Sequence, residues 1–312
     1  MVVWVYSGLT SRCVTLLQAY YLQKMIGSRQ RLLIIWPIDG GCNINYKNVF
    51  GEQFKDIKYK VIQLKTESKI SISKCIREKE FVKVLLEVIK RIRIKRDLFI
   101  IEYFKRKYPY IDYEPPREIG WGGERYQEYL NDCWKEVRQC LEEGKKPFIH
   151  AYCGLIEGES TDQVDYSVIC FADKWVQKAE DILGEHEKWI GVHIRRTDHK
   201  AAIAHSSDHA FCLKMDEILI QDKDVFFFLA TDDEDVERNL KDRYGNRVVT
   251  QGDKSWGRNS EDGMGSAIID LLCLSECDTI LGSYGSVFSN FASQYKHKKL
   301  IICGETDSQA VQ

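Results

Sequence analysis

The residues best suited to do chemistry fall in one stretch, Trp189 to Asp198, WIGVHIRRTD. Its apolar positions, Ile190, Val192 and Ile194, read as a short strand. That strand carries His193, Arg195, Arg196 and Asp198 to its carboxyl end, where open α/β sheets hold their ligands. Successive strand residues point to opposite faces, so one arginine can serve as a ligand arm while the other braces the strand end. A guanidinium offers a rigid fork to phosphate oxygens and keeps its charge at neutral pH, which points to a phosphorylated ligand. Taken alone, Arg195 and Arg196 fit a surface salt bridge equally well.

Three further segments carry candidate groups. In GSAIIDLLCLSEC, the helical neighbours of Asp270 are Ser266, Ala267, Cys273 and Leu274, so no cation shares its face. A buried carboxylate needs donors from elsewhere: the paired N–H groups of a guanine, a helix amino terminus or an arginine from the sheet. FLATDDED sets Asp232 and Asp233 directly after a buried strand, where they can meet ribose hydroxyls or the arginines, while Glu234 and Asp235 suit the first turn of the next helix. Adjacent aspartates are not the spaced DxD of metal-dependent sugar transferases, so no metal site is expected here. LGSYGSVFSNFAS places Gly282, Ser283, Gly285 and Ser286 at a turn into a helix, where hydroxyls and backbone N–H groups suit a diphosphate; a plain N-cap fits the segment as well.

The elements that must position these groups alternate regularly in the second half. Helices are expected at 164–183, 208–220, 234–243, 263–276 and 287–295, and strands at 189–195, 225–230, 247–250, 279–281 and 299–303. Such alternation predicts a parallel sheet covered on both faces. The amino-terminal part opens with a strand at 2–6, the SGLTSR turn, a helix at 11–26 and a strand at 32–36 stopped by Pro37. Residues 49–116 are less regular: a strand at 59–64, a basic helix at 78–93 and a strand at 97–103 are expected. The aromatic, turn-rich KYPYIDYEPPREIGWGGERY then precedes a helix at 124–141 and a strand at 147–152. Aromatic rings beside polar groups suit a sugar face, although such loops also pack against their own domain. A hinge is expected near 154–164, dividing an amino-terminal α/β domain over 1–160, the acceptor side, from a Rossmann-like domain over 161–312.

With 312 residues, 44% hydrophobic and 29% charged, the chain is long enough for two α/β domains. A net charge of -2 gives no reason to expect nucleic acid, and the basic stretch KRIRIKRD reads as an exposed face. Eleven cysteines without a CxxC pair argue against a disulfide framework and for a reducing compartment. No integral membrane segment is expected and the amino terminus lacks signal-peptide character, so a cytoplasmic location is the expectation.

Taken in order, HIRRTD at 193–198, ATDD at 230–233, Ser255-Trp256, SAIIDLLCLSECD ending at Asp278 and the small-residue turn with Ser286 resemble the motifs of α1,6-fucosyltransferases. That group includes the bacterial nodulation enzymes and is related to the α1,2- and protein O-fucosyltransferases. Gly8 to Arg12 with the following helix and LLIIW resemble its amino-terminal loop, helix and strand; residues 50–150 show no such likeness.

The resemblance implies an α/β fold of the GT-B glycosyltransferase type, two Rossmann-like domains facing a cleft, with GDP-fucose as donor substrate, a glycan acceptor and no required cofactor or metal. It implies that Arg195 contacts the β-phosphate, that His193 and Asp270 lie where guanine is held with Asp232 and Asp233 nearby, that Ser286 approaches the diphosphate, and that Gly8, Leu9, Thr10 and Ser11 close over the donor. The implied reaction inverts the anomeric centre. The α1,6 enzymes carry a glutamate shortly after the HxRRTD motif, but HKAAIAHSSD has none, so Asp198, His205 and Asp208 are the candidates for general base. Transfer from another GDP-sugar, or binding without turnover, fits the same residues.

Overall fold

The computed structural model describes residues 1–26, 31–65, 81–120, 123–152, 164–184 and 186–304. The chain divides into two compact units, Met1–Asn48 with Glu52–Val164, and Val49–Gly51 with Asp165–Gln312. All but Val164 of the segment expected to act as a hinge lies outside the described residues.

The first unit holds a five-stranded sheet in the order β3-β2-β1-β5-β4: β1 (Val2–Val5), β2 (Leu32–Ile38), β3 (Tyr59–Lys65), β4 (Tyr110–Asp112) and β5 (Phe148–Ala151). Every pairing is parallel. Helix α1 (Leu9–Met25) joins β1 to β2, and α2 (Tyr46–Val49), α3 (Phe81–Lys107) and α4 (Glu124–Glu142) follow. Val2, Ile35, Leu64 and Phe148 from the sheet pack with Ile101 and Phe104 of α3.

Two expectations for this unit are corrected. Residues 97–103 are not a strand but the carboxyl-terminal half of α3. Asp97, Ile101 and Phe104 are buried while Leu98 and Phe99 are 50% and 72% exposed. That spacing of three and four is helical, and strand alternation would have buried every second residue. Strand β2 does not stop at Pro37 but runs through it to Ile38. Its pairing with β1 spans Leu33 to Ile35, so Pro37 has a single strand neighbour, in β3. A missing N–H is tolerated at such a position.

The second unit repeats the architecture in the order β10-β9-β6-β7-β8: β6 (Trp189–Ile194), β7 (Phe226–Thr231), β8 (Val248–Val249), β9 (Thr279–Gly282) and β10 (Lys299–Ile302). These pairings too are parallel. The helices are α5 (Asp173–Leu183), α6 (Lys200–His205), α7 (Asp208–Gln221), α8 (Glu234–Tyr244), α9 (Glu261–Glu276) and α10 (Val287–Tyr295). Helix α5 begins at Asp173 and not at 164; Tyr166–Val168 is a 3-10 turn, and Ile169 and Phe171 are buried on an extended segment whose Phe171 bridges Phe50. Val192 and Ile194 of β6 pack with Phe211 and Met215 of α7 and with Val236 and Leu240 of α8. The other face of β6 is built for close approach: a Cβ on Gly191 would stand 2.9 Å from Leu274 Cδ2 of α9.

The chain moves one way from β6 to β8 and then returns to lay β9 on the other side of β6. Crossovers therefore leave β6 and β9 in opposite directions, which opens a crevice beyond their carboxyl ends, the usual ligand position in a doubly wound sheet.

Candidate functional site

The polar groups of the second unit gather at that reversal. Beyond Ile194 the Arg195 backbone N–H donates to Ser283 Oγ at 3.0 Å, and Ser283 Oγ in turn donates to the His193 carbonyl at 3.2 Å, tying the ends of β6 and β9 together. The Arg195 side chain, 18% exposed, bridges Asp232 after β7 and Asp198 in its own loop. Asp232 also accepts from the Arg196 amide at 2.7 Å and from the Thr197 hydroxyl at 2.6 Å. Burial pushes the Asp232 carboxyl up, but Arg195 and these donors outweigh it and hold the group below its ordinary value.

Arg196 pairs with Asp208 at the start of α7, its Nε donating at 2.9 Å, and its Nη1 donates to the Arg195 carbonyl at 2.9 Å. Arg258 pairs with Asp198. Each arginine of the cluster thus faces a carboxylate. An anion entering this cluster would have to displace one of them, and Asp198, whose side chain is 57% exposed, is the partner with the least desolvation at stake. Asp233 is the N-cap of α8, accepting from the amides of Asp235 and Val236 at 2.9 and 3.1 Å.

His193 is 6% exposed. Its Nδ1 lies 2.9 Å from Ser289 Oγ and 3.5 Å from Ser286 Oγ, and its ring stacks on Phe288. Burial, aided by the Arg195 charge, pushes its pKa down to about 3, so the ring is a neutral support beneath the turn. Ser286 occupies the N-cap position of α10 without a side-chain cap bond, and no acidic residue stands in the first turn. Gly285, at φ 63°, lets the turn bend there. A helix terminus of this kind presents its N–H groups to an anion.

Asp270 has its partners within the unit. Gln251 Nε2 donates to Oδ1 at 2.5 Å and Lys254 Nζ lies 3.2 Å from Oδ2. The cation that the helix face lacks comes from the loop after β8. Burial dominates nonetheless and raises the Asp270 pKa to about 6. Lys254 also donates to the Thr231 carbonyl at 2.7 Å and lies over the Trp256 ring, 4.4 Å from its centroid. A recess of about 420 Å³ beside this loop is lined by Trp256 and by Glu234, Glu237, Arg238, Lys241 and Asp242 of α8.

Of the proposed general bases, Asp198 and Asp208 are committed to arginines, as above. His205 ends α6, with its ring 4.7 Å from that of Tyr284. In the first unit Gly8 caps α1 without a side-chain bond, and Leu9, Thr10 and Ser11 are buried at 4%, 6% and 8% exposure. Arg12, wholly buried, fixes the loop before them by donating to the Ser7 carbonyl at 2.7 Å and to both oxygens of Asp39 at 2.8 Å.

Arg195, Asp198, Asp232, Asp233, His193 and Ser286 are therefore brought together, with Asp270 linked to them through Lys254. Gly8 to Ser11 belong to the other unit. Lys254, Gln251, Arg258 and Ser289 were not singled out by the sequence. Lys254 stands immediately before the Ser255-Trp256 pair, and that position is the signal that was there to be read.

In the aromatic segment 107–126, Tyr113 and Tyr126 are 1% and 8% exposed, and Tyr110 to Asp112 form β4, so much of it packs into its own unit. Among the described residues, the one group of His, Cys, Asp and Glu side chains close enough to share a metal ion is Asp112, Glu114 and His150, with donor atoms within 4.8 Å of one another. Asp112 has both oxygens occupied, Oδ1 by His150 Nδ1 and the Glu114 amide and Oδ2 by the Tyr110 hydroxyl, so it fits a metal poorly.

No family model matches the chain, and no curated protein matches it in sequence. Solved structures do match. NodZ α1,6-fucosyltransferase soaked with GDP-fucose aligns with 18% identity and a TM-score of 0.57 over 94% of this chain and 91% of its own. NodZ from Bradyrhizobium gives 16% and 0.57 over 93% and 90%. POFUT1 in complex with GDP-fucose gives 10% and 0.54 over 97% and 98%. The two parallel sheets and their order of elements thus make this chain an α/β protein with the GT-B-type fold of the fucosyltransferases.

Proposed function

We propose that the protein is an inverting fucosyltransferase that moves fucose from GDP-fucose to a hydroxyl of a glycan acceptor, without a metal or other cofactor. The observation that carries this reading is the convergence of Arg195, Asp232, Ser283 and Ser286 on the carboxyl ends of β6, β7 and β9 at the sheet reversal. It occurs in a fold shared with NodZ α1,6-fucosyltransferase soaked with GDP-fucose and with POFUT1 in complex with GDP-fucose. The guanosine is assigned to the second unit, with His193, Asp270, Asp232 and Asp233 around it, and the acceptor to the first.

In this reaction negative charge grows on the GDP leaving group as the bond to the sugar breaks. A fixed guanidinium and free N–H groups at the start of α10 stabilise that charge most in the transition state. The reducing, cytoplasmic setting assigned to the reaction suits the free thiols of the described cysteines. No helix among the described residues is long and apolar enough to cross a membrane.

A second reading, a GDP-sugar-binding protein without turnover, is favoured by two observations: Arg195 is already neutralised by two carboxylates, and residues 199–208 contain no glutamate. Release of GDP from GDP-fucose with a mixed glycan pool separates the two readings. Turnover with GDP-fucose and none with GDP-mannose or UDP-sugars supports the proposal; tight donor binding with no release in any pool supports the binder.

A further inference from the structure

Helix α3 carries a second apolar stripe that the packing of its own unit does not use. Its inward side is Asp97, Ile101 and Phe104, all buried. On the opposite side Ile92, Phe99 and Tyr103 are 63%, 72% and 49% exposed, and Leu98 flanks them at 50%. Steps of seven and four residues keep side chains on one face of a helix, so Ile92, Phe99 and Tyr103 form a continuous ridge rather than scattered exposure. Cations are set into that ridge: Lys95, Arg96 and Arg106 fall on the same face, three or four residues from its apolar members. Arg96 pairs with Asp97, while Lys95 and Arg106 have no ion pair among the described residues. Lys107 Nζ donates to the Tyr103 hydroxyl at 2.8 Å and so puts a charge at the polar tip of that ring. Over the whole of α3 nine lysines and arginines stand against three acids, a net charge of +6 in a chain whose total is -2.

A partner for this face has to cover apolar side chains and supply negative charge together. A second copy of α3 brings the same positive charge and is repelled. A nucleic acid satisfies the cations through its phosphates but offers little to Ile92 and Leu98. The headgroup layer of an anionic bilayer has phosphates and carboxylates at its surface and hydrocarbon just beneath, and because it is fluid it accepts a convex ridge without a matching pocket. We propose that the outer face of α3 docks reversibly on an anionic bilayer surface, with Ile92, Phe99 and Tyr103 entering the headgroup layer and Lys95, Arg96 and Arg106 meeting lipid phosphates. The helix lies along the surface and does not cross it. This surface belongs to the first unit alone, and its role stands whether or not the chain is a transferase.

The test is co-sedimentation of the full chain with vesicles of phosphatidylcholine alone and of phosphatidylcholine mixed equally with phosphatidylserine. At low salt the chain is expected to pellet with the mixed vesicles and not with phosphatidylcholine alone, and the bound fraction to fall as sodium chloride is raised. Phe99 is exposed, so Phe99→Ser is expected to keep the fold by circular dichroism and to lower the partition coefficient onto mixed vesicles roughly tenfold. Replacing both Lys95→Gln and Arg106→Gln is expected to lower it roughly 30-fold. Ile220→Ser, at an apolar side chain of the second unit that is 80% exposed, is the control and is expected to partition like the unaltered protein. No pelleting with mixed vesicles at low salt, or equal partition onto phosphatidylcholine alone, would overturn the proposal. A partition lost in the Lys95 and Arg106 variant but unchanged by Phe99→Ser would overturn it too, and would point to an acidic protein or a nucleic acid as the partner of a purely electrostatic surface.

Discussion

Arg195 is held by one carboxylate that is well anchored and one that is not. Asp232 keeps its backbone and Thr197 donors whatever Arg195 does, whereas Asp198 is exposed and shared with Arg258. Asp198→Asn is therefore expected to free the guanidinium and tighten GDP binding about 2- to 5-fold in calorimetry; weaker binding would show that Asp198 itself contacts the ligand. Arg195→Ala removes a charge-assisted contact of about 1.5–3 kcal/mol, so GDP affinity is expected to fall roughly 10- to 100-fold with the fold retained by circular dichroism. Affinity unchanged within a factor of two would remove Arg195 from the site. Two buried groups make opposite demands on pH. His193, depressed to about 3 from 6.5, contributes stability above its unfolded pKa that is lost as pH falls. Asp270, raised to about 6 from 3.8, contributes stability below its unfolded pKa that is lost as pH rises through about 6. Between about pH 4 and 6 the two slopes cancel. Asp270→Asn leaves His193 unopposed, and its unfolding free energy in urea is expected to drop about 1.4 kcal/mol per pH unit more steeply there than that of the unaltered protein. Parallel profiles would show that Asp270 is not perturbed as described.

The loop from β8 to α9 places Lys254, Trp256 and Arg258, and a single glycine lets it pass. A Cβ on Gly263 would stand 1.9 Å from the Gly257 carbonyl oxygen, so the loop cannot hold its course beside any larger residue. Gly263→Ala is expected to cost about 1–3 kcal/mol in denaturant unfolding and to weaken GDP binding along with it; a variant of full stability would mean that the loop moves aside freely. That contact joins Gly257 in the loop to Gly263 in the first turn of α9, and no periodicity announces it. The strands and helices of the second unit were legible because apolar runs alternate with amphipathic ones, and the cluster at 193–198 because polar types stand directly after such a run. Asp270 was legible as a carboxylate in need of a partner, but Lys254, sixteen positions earlier in a loop, was not, since loop geometry leaves no repeat in the sequence. In α3 the run Leu98 to Ile101 looks like a strand in isolation, and the buried Asp97, which takes the Lys65 amide at 2.8 Å, breaks the apolar pattern that would have marked the helical face. His150 and Asp112 lie 38 positions apart and meet only through the pairing of β4 with β5.

Across the whole chain, two units carry the same design, a five-stranded parallel sheet with β1 or β6 at its centre and the order reversing beside it. Both reversals gather polar groups, Arg195 with its aspartates in one and His150 with Asp112 in the other, and the proposed function assigns the donor to the former. With a net charge of -2 the molecule offers no broad attraction to an anionic ligand, and recognition has to be local. The most direct test of the proposed donor site is amide hydrogen exchange with and without GDP. Protection is expected at 195–198, 231–233, 251–256 and 283–289, with the β4 and β5 segments unchanged. Protection centred on the first unit, or none at saturating GDP, would contradict the account.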